Sequence, residues 1–333
     1  MDKFTFIVIT YNHEKYILEH LESIKYQIVN FGKDIFCNII IADDGSKDKT
    51  VELTKFWFKE NFNLFNDVKI IADGLNRGTC KNLSLALTYL ETDKCKLTAG
   101  DDVYSCENLF IEFDKIDGID ILSGLPVNLI DGKIVNTNFD IFNLYATNII
   151  YEKLDYKERL KKINFFNAPS IVYNSYALKN DDVINFMEKF KVTEDYPLHI
   201  KMSEIYTPLK FNQIDKVFVY YRRTNNSTYI IKNDIFSNDK INIFEYLIKN
   251  EKRFLSKIFL KNRLFCFNLS NRYLKKLLNF NVYIYGLKIL FNYFLINKKV
   301  KSIEINYDKY QEHYNYLKYK ASNCYKNFIK EKI

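Results

Sequence analysis

The sequence predicts an α/β fold: a mostly parallel sheet with helices on both faces, followed by a C-terminal helical extension. Three observations carry that prediction. Strand and helix patterns alternate through the first hundred residues, the last hundred residues read as basic amphipathic helices, and the bulk composition supports a large core. With 333 residues, 47% hydrophobic, and only 9 Gly and 4 Pro, the chain has apolar surface for a core plus an appended region. Disordered and collagen-like classes are excluded.

Residues 4–10 form a β-branched and aromatic run, and residues 14–29 follow with helical spacing at Ile17, Leu18, Leu21, Ile24 and Ile28. A buried-type strand over 36–42 completes a βαβ unit. Asp48 offers a cap for the next helix, whose apolar face includes Val51, Leu53 and Trp57. A strand at 68–72, a helix through 83–90 and a strand at 95–98 continue the alternation. After Asp102 the rhythm changes. Asp131-Gly132 sits between two apolar runs and suits the positive φ angles of a tight hairpin. A helix over 152–162, a strand over 169–173, a helix opening near Asp195 and a strand over 216–222 are expected next. From residue 241 onward Phe244, Leu247, Ile248, Leu255, Ile258 and Phe259 mark a helical face.

The formal charge of +8 hides a division. Residues 231–333 hold 21 Lys and Arg against 8 Asp and Glu, a net of +13, whereas residues 1–230 hold 28 against 33, a net of −5. The two parts are expected to face different partners. Six cysteines without a CxxC pair read as reduced thiols of a cytosolic protein, and no secretory signal precedes the first strand. The apolar stretch 280–296 is interrupted by Asn281, Lys288 and Asn292, too polar for a bilayer span. Of four histidines, none has metal spacing; His20 and His313 read as surface residues, and His13 as a residue at a pocket rim.

In an open parallel sheet, ligands bind beyond the carboxyl ends of the strands. Those ends read Thr10-Tyr11-Asn12, Asp43-Asp44-Gly45-Ser46, Asn76-Arg77-Gly78 and Gly100-Asp101-Asp102. Neither GxGxxG nor GxxxxGK[ST] occurs, which disfavours a dinucleotide or P-loop site. Asp101 and Asp102 offer hard oxygen ligands suited to Mg²⁺ or Mn²⁺ shared with a diphosphate. Asp43 or Asp44 can accept hydrogen bonds from a base or a ribose, and Tyr11 can stack on a base. Glu194-Asp195 adds a carboxylate pair at a helix start, where the helix N-terminus attracts negative charge, and an ionised carboxylate near an acceptor hydroxyl is a general base.

The ordered set Ile7-Val8-Ile9-Thr10-Tyr11-Asn12, Ile41-Ala42-Asp43-Asp44-Gly45-Ser46, Asn76-Arg77-Gly78, Ala99-Gly100-Asp101-Asp102 and Thr193-Glu194-Asp195 resembles family 2 glycosyltransferases with the GT-A (Rossmann-like) fold, over roughly residues 4–230. Each motif alone is a polar turn or a helix cap; five in one order are not. The resemblance implies transfer of a hexose from a nucleotide diphosphate donor, usually UDP-linked, with inversion. It implies that Thr10, Tyr11 and Asn12 border the base pocket and that one of Asp43 and Asp44 reads the uracil N3–H. Asp101 then corresponds to the ribose- or sugar-contacting carboxylate, Asp102 to the ligand of Mn²⁺ or Mg²⁺, and Asp195 to the catalytic base. Arg222 and Arg223 resemble the family's late basic motif near the diphosphate, although Thr224 stands where many members have His. Lys81, in Cys80-Lys81-Asn82, takes the place of an arginine, with Arg77 as a competing candidate.

The implied organisation is a catalytic domain over 1–230, with a nucleotide-sugar half at 1–102 and an acceptor half at 103–230, and a basic helical region over 231–333. The implied partners are a nucleotide sugar donor and a glycan or lipid-linked glycan acceptor of a bacterial surface polymer. The basic region points to a peripheral position on the inner membrane, or to a homo-oligomer through the same helices, and no nucleic-acid module accompanies it. A non-catalytic nucleotide-sugar-binding scaffold is the alternative. A nucleotidyltransferase would need a phosphate-gripping loop after the first strand, which Thr10-Tyr11-Asn12-His13-Glu14 lacks.

Overall fold

Phe4, Phe6, Ile7, Val8 and Ile9 are all buried, as expected of a strand covered on both faces. The computed structural model describes residues 2–110, 118–163, 165–223 and 234–332. The first βαβαβαβ segment comprises β1 (Asp2–Thr10), α1 (Ile17–Phe31), β2 (Ile35–Asp43), α2 (Thr50–Asn61), β3 (Asp67–Ile71), α3 (Thr79–Leu87) and β4 (Lys94–Ala99). β1 lies between β2 and β4 in parallel, and β2 pairs β3 in parallel. The register aligns Thr10 with Asp43 and Ile9 with Ala99, so the loops carrying the sequence motifs leave the sheet at one edge.

The second half of the sheet is mixed. It adds β5 (Val103–Tyr104), β6 (Ile121–Ile130), β7 (Lys133–Val135), β8 (Ile171–Asn174) and β9 (Phe211–Arg222), in the order β3-β2-β1-β4-β8-β6-β9-β5 with β7 on β6. β8 runs antiparallel to β4 and β6, whereas β9 is parallel to β6. The β6–β7 turn has Asp131 at φ 50° and Gly132 at φ 77°, the two positive angles that such a hairpin requires. α4 (Asn138–Ile150), α5 (Tyr156–Lys162), α6 (Asp181–Met187) and α7 (Asp195–Ile205) complete the middle of the chain; α4 was not among the expected helices.

The C-terminal region holds α8 (Asp234–Asn250), α9 (Phe254–Asn268), α10 (Arg272–Leu277), α11 (Phe280–Lys301) and α12 (Tyr307–Lys332). The chain forms two units that interleave: residues 1–137, 166–225 and 305–333 make one, and residues 138–165 and 226–304 the other. The expected division at 230 lies near one of these crossings, but α12 belongs with the sheet. Tyr310, His313, Tyr314, Leu317, Ala321 and Phe328 recur on one face of α12 and are buried, and Ala321 and Phe328 join the core cluster of Phe4, Leu21 and Trp57.

In the second unit α11 packs on α4 and α9. Tyr151 stacks on Tyr285 with centroids 6.4 Å apart, Lys288 lies over the Tyr151 ring, and Lys161 pairs with Glu158 and Glu251. Among the described residues no helix is long and apolar enough to cross a membrane. The six cysteines are free thiols.

Candidate functional site

The loop after β1 is clamped to the loop after β2. Asn12 takes a left-handed φ of 55°, its N–H donates to Ser46 Oγ at 2.8 Å, and its Oδ1 accepts from Lys47 N–H at 2.8 Å. The N–H groups of His13 and Glu14 donate to Thr50 Oγ1 and Asp48 Oδ2. Asp43 is buried and accepts from Thr10 Oγ1 at 2.9 Å, Ser46 N–H at 2.8 Å and Ser46 Oγ. Asp44, also buried, accepts from the N–H groups of Arg77 (2.6 Å) and Gly78 (3.0 Å), and burial pushes its carboxyl up against those two donors. Asp43 therefore fixes the β1–β2 edge, and Asp44 fixes the 76–78 loop against it. Gly78 sits at φ 84°, and a Cβ there would lie 2.8 Å from Lys191 O, where the segment leading to Asp195 passes. Tyr11, 46% exposed, is open to a ligand.

The acidic pair follows β4. Asp102 is buried, Oδ1 accepts from Arg222 N–H at 2.9 Å, and burial together with the neighbouring Asp101 charge pushes its carboxyl well above the usual range. Asp102 Oδ2 and the Asp101 carboxylate accept no hydrogen bond among the described residues. Two hard oxygen donors at a strand end, one of them destabilised as an anion by burial, fit a divalent cation shared with a diphosphate. No group of three or more His, Cys, Asp or Glu that would hold an ion alone occurs among the described residues.

Asp195 opens α7. Its Oδ1 accepts from Tyr196 N–H at 2.7 Å, leaving Oδ2 without a hydrogen bond among the described residues. Behind it, Tyr173 Oη and His199 Nε2 are 2.8 Å apart, and Phe166 stacks on the imidazole. Burial pushes His199 down to about 3, so it packs as a neutral ring.

Several sequence-predicted residues have partners other than those expected. Arg222 is buried: Nε donates to Asp101 O at 2.6 Å, a terminal nitrogen pairs with Glu19 at 2.5 Å, and the guanidinium lies over Tyr16. It supports the acidic pair from behind. Arg223 donates from Nε to Asn128 Oδ1 at 2.8 Å. The Arg77 guanidinium pairs with Asp73, while Lys81 stands exposed on α3. Thr224 and the rest of 224–230 lie outside the described residues. His20 and His313, expected on the surface, are buried. His20 Nδ1 lies 2.8 Å from Asp102 O and burial pushes the ring down to about 4, while His313 Nδ1 meets Tyr220 Oη at 3.0 Å. Lys96 was missed: fully buried on β4, it donates to the carbonyls of Pro169 and Ile171, and burial pushes it down to about 7. A lysine in the middle of a short apolar strand was the available signal.

Residues 5–117 match the model of glycosyl transferase family 2. They are a family 2 glycosyltransferase domain. No curated protein matches the chain. Among solved structures, S. aureus TarS 1–349 in complex with UDP-GlcNAc is similar at TM-score 0.54 and 21% identity, covering 98% of this chain and 90% of that one. The mannosyltransferase PcManGT from Pyrobaculum calidifontis, in complex with GDP-Man and Mn²⁺, is similar at TM-score 0.54 and 14% identity, covering 96% and 85%. These likenesses are of fold, and the fold is GT-A-like. The glycosyltransferase domain contains the motifs through Asp102; Asp195 and Arg222 lie beyond the matched segment.

Proposed function

We propose that the glycosyltransferase moves a hexose, with inversion, from a UDP-linked donor to a hydroxyl of a bacterial surface glycan or its lipid-linked precursor. The observation that supports this most is the meeting of four motif-bearing loops at one sheet edge, with Asp102 Oδ2 and the Asp101 carboxylate left open there. Thr10, Tyr11 and Asn12 border the base, and the turn bearing Asp43 and Asp44 reads it. Asp101 and Asp102 would hold Mn²⁺ or Mg²⁺, which when bound offsets the charge of the departing diphosphate. Asp195 Oδ2 takes the proton of the acceptor hydroxyl. The acceptor's hydroxyl oxygen bonds to the anomeric carbon as the bond to the nucleoside diphosphate breaks, and a single displacement inverts the centre.

A panel of nucleotide sugars, with Mn²⁺ or with chelator and scored for donor hydrolysis and thermal stabilisation, tests the reading. Asp195→Asn is expected to lower turnover by about 10²–10⁴-fold with donor affinity nearly unchanged. Retention at the anomeric carbon, or near-normal turnover of that variant, overturns the assignment.

The second unit supports a peripheral position on the cytoplasmic face of the inner membrane. Residues 254–303 contain ten Lys and Arg and no Asp or Glu. On α11, Leu287, Leu290, Phe291, Phe294 and Leu295 are exposed. Exposed apolar side chains in a segment with that excess of cationic residues complement an anionic lipid surface.

A further inference from the structure

α12 is separated from the acidic pair by more than two hundred residues, yet Tyr314 reaches into the groups behind that pair. Tyr314 Oη donates to Glu19 Oε2 at 3.0 Å, and the same oxygen accepts from the Arg222 guanidinium at 2.5 Å. Arg222 in turn donates from Nε to Asp101 O and from its backbone N–H to Asp102 Oδ1. Glu19, Tyr314, Arg222 and Asp102 are all buried, so each depends on the others for hydrogen bonds that water does not replace. The Arg222 charge also acts on the Asp102 carboxylate, so a buried guanidinium without Glu19 has that carboxylate as an alternative partner. Glu19 draws it away and leaves the acidic pair open.

We infer that Tyr314, through Glu19 and Arg222, positions Asp101 and Asp102 for the donor, which makes the C-terminal helix a working part of the donor site. The inference rests on the proposed role of the acidic pair. Tyr314 and Glu19 are positioning residues: neither touches the donor, and each acts through the next. The arrangement also explains why α12 returns to the sheet although residues 226–304 lie in the other unit.

The test is calorimetric titration of full-length protein with UDP, with and without Mn²⁺, alongside thermal melting. Tyr314→Phe removes only the hydroxyl and keeps the ring that fills the core. It is expected to weaken Mn²⁺-dependent UDP binding by about tenfold, the effect of losing an outer-shell partner, and to leave UDP binding without Mn²⁺ unchanged. Tyr310→Phe, on the same buried face of α12 but bonded to Glu107, is expected to bind UDP and Mn²⁺ as wild type does. Glu19→Gln, which retains an oxygen acceptor without the charge, should fall below Tyr314→Phe. Wild-type protein that binds UDP with Mn²⁺ dependence while Tyr314→Phe binds identically overturns the positioning role alone. Equal losses in Tyr310→Phe and Tyr314→Phe, tracking a drop in melting temperature, overturn it too, by assigning α12 to packing. Wild-type protein with no Mn²⁺-dependent UDP binding overturns the donor reading and this inference with it.

Discussion

Trp57 on α2 and Phe291 on α11 are both large aromatics on helices, yet Trp57 is 1% exposed and Phe291, on the more apolar of the two, 86%. In the sheet unit, helices press their apolar faces on strands that are themselves apolar on both sides, and buried polar groups such as the Trp57 indole find fixed partners. Trp57 Nε1 donates to Glu22 at 2.7 Å, and its ring packs on Phe58 and Phe65. In the helical unit, α11 packs on α4 and α9 with Ile296 alone fully buried and leaves a long apolar stripe uncovered. The difference shows that hydrophobicity in this chain has two uses, a core and a surface, and that composition alone does not separate them.

The comparison is broken most directly at Trp57. Trp57→Ala empties a packed site and leaves Glu22 without its donor, so a loss of about 3–5 kcal/mol is expected. Urea unfolding with a two-state fit measures it. A loss under 1 kcal/mol would mean that α2 is not seated as described.

Acid sharpens the same contrast, because the buried histidines belong to the sheet unit. His199 and His20 have folded-state values near 3 and 4, below the ordinary value of 6.5, through burial. The unfolded chain therefore binds more protons below pH 6.5. Stability contributed by the neutral rings is complete above 6.5 and is lost as pH falls toward 4. Asp44 and Asp102, raised by burial, act with the opposite sign, so the informative quantity is a difference in slope. Between pH 6.5 and 4, the melting temperature of His199→Phe should fall less steeply than that of wild type, whatever its value at neutral pH. Parallel slopes would remove His199 from the acid response.

How far these features could be read in advance depends on how local they are. The strand ends were legible because a parallel sheet brings consecutive βα loops to one edge, so Asp43, Asp44, Asp101 and Asp102 could be grouped from order alone. The Asp131-Gly132 hairpin was legible from two residues. Arg222 was not: its dipeptide suggested a phosphate contact, and only Glu19, 203 residues away, shows that its guanidinium is held inside. Likewise nothing local to Tyr314 indicates a partner 295 residues distant. α4 went unpredicted because Asn138, Asn143 and Asn148 dilute its apolar spacing, and its burial comes from α11. Loop-local chemistry is written in the sequence; the identity of a buried ion's partner is written in the topology.

The smallest effect on stability is expected where the aromatics are exposed, and that is what separates a docking face from a core. Leu287, Phe291 and Phe294 lie on one stripe of α11, at spacings of four and three residues, and all are exposed. Replacing the three by Ser should change unfolding free energy by within about 0.5 kcal/mol per site. The same variant should lose most of its flotation with vesicles containing anionic lipid. Each Lys or Arg near such a surface contributes about 1 kcal/mol at low salt, so wild-type flotation should weaken as salt rises and be absent on neutral vesicles. If the triple variant floats like wild type, α11 is not the docking face. If instead the variant changes the mass of the particle in light scattering while wild type ignores both kinds of vesicle, the stripe joins copies of the chain, and the cations around it serve solubility rather than lipid.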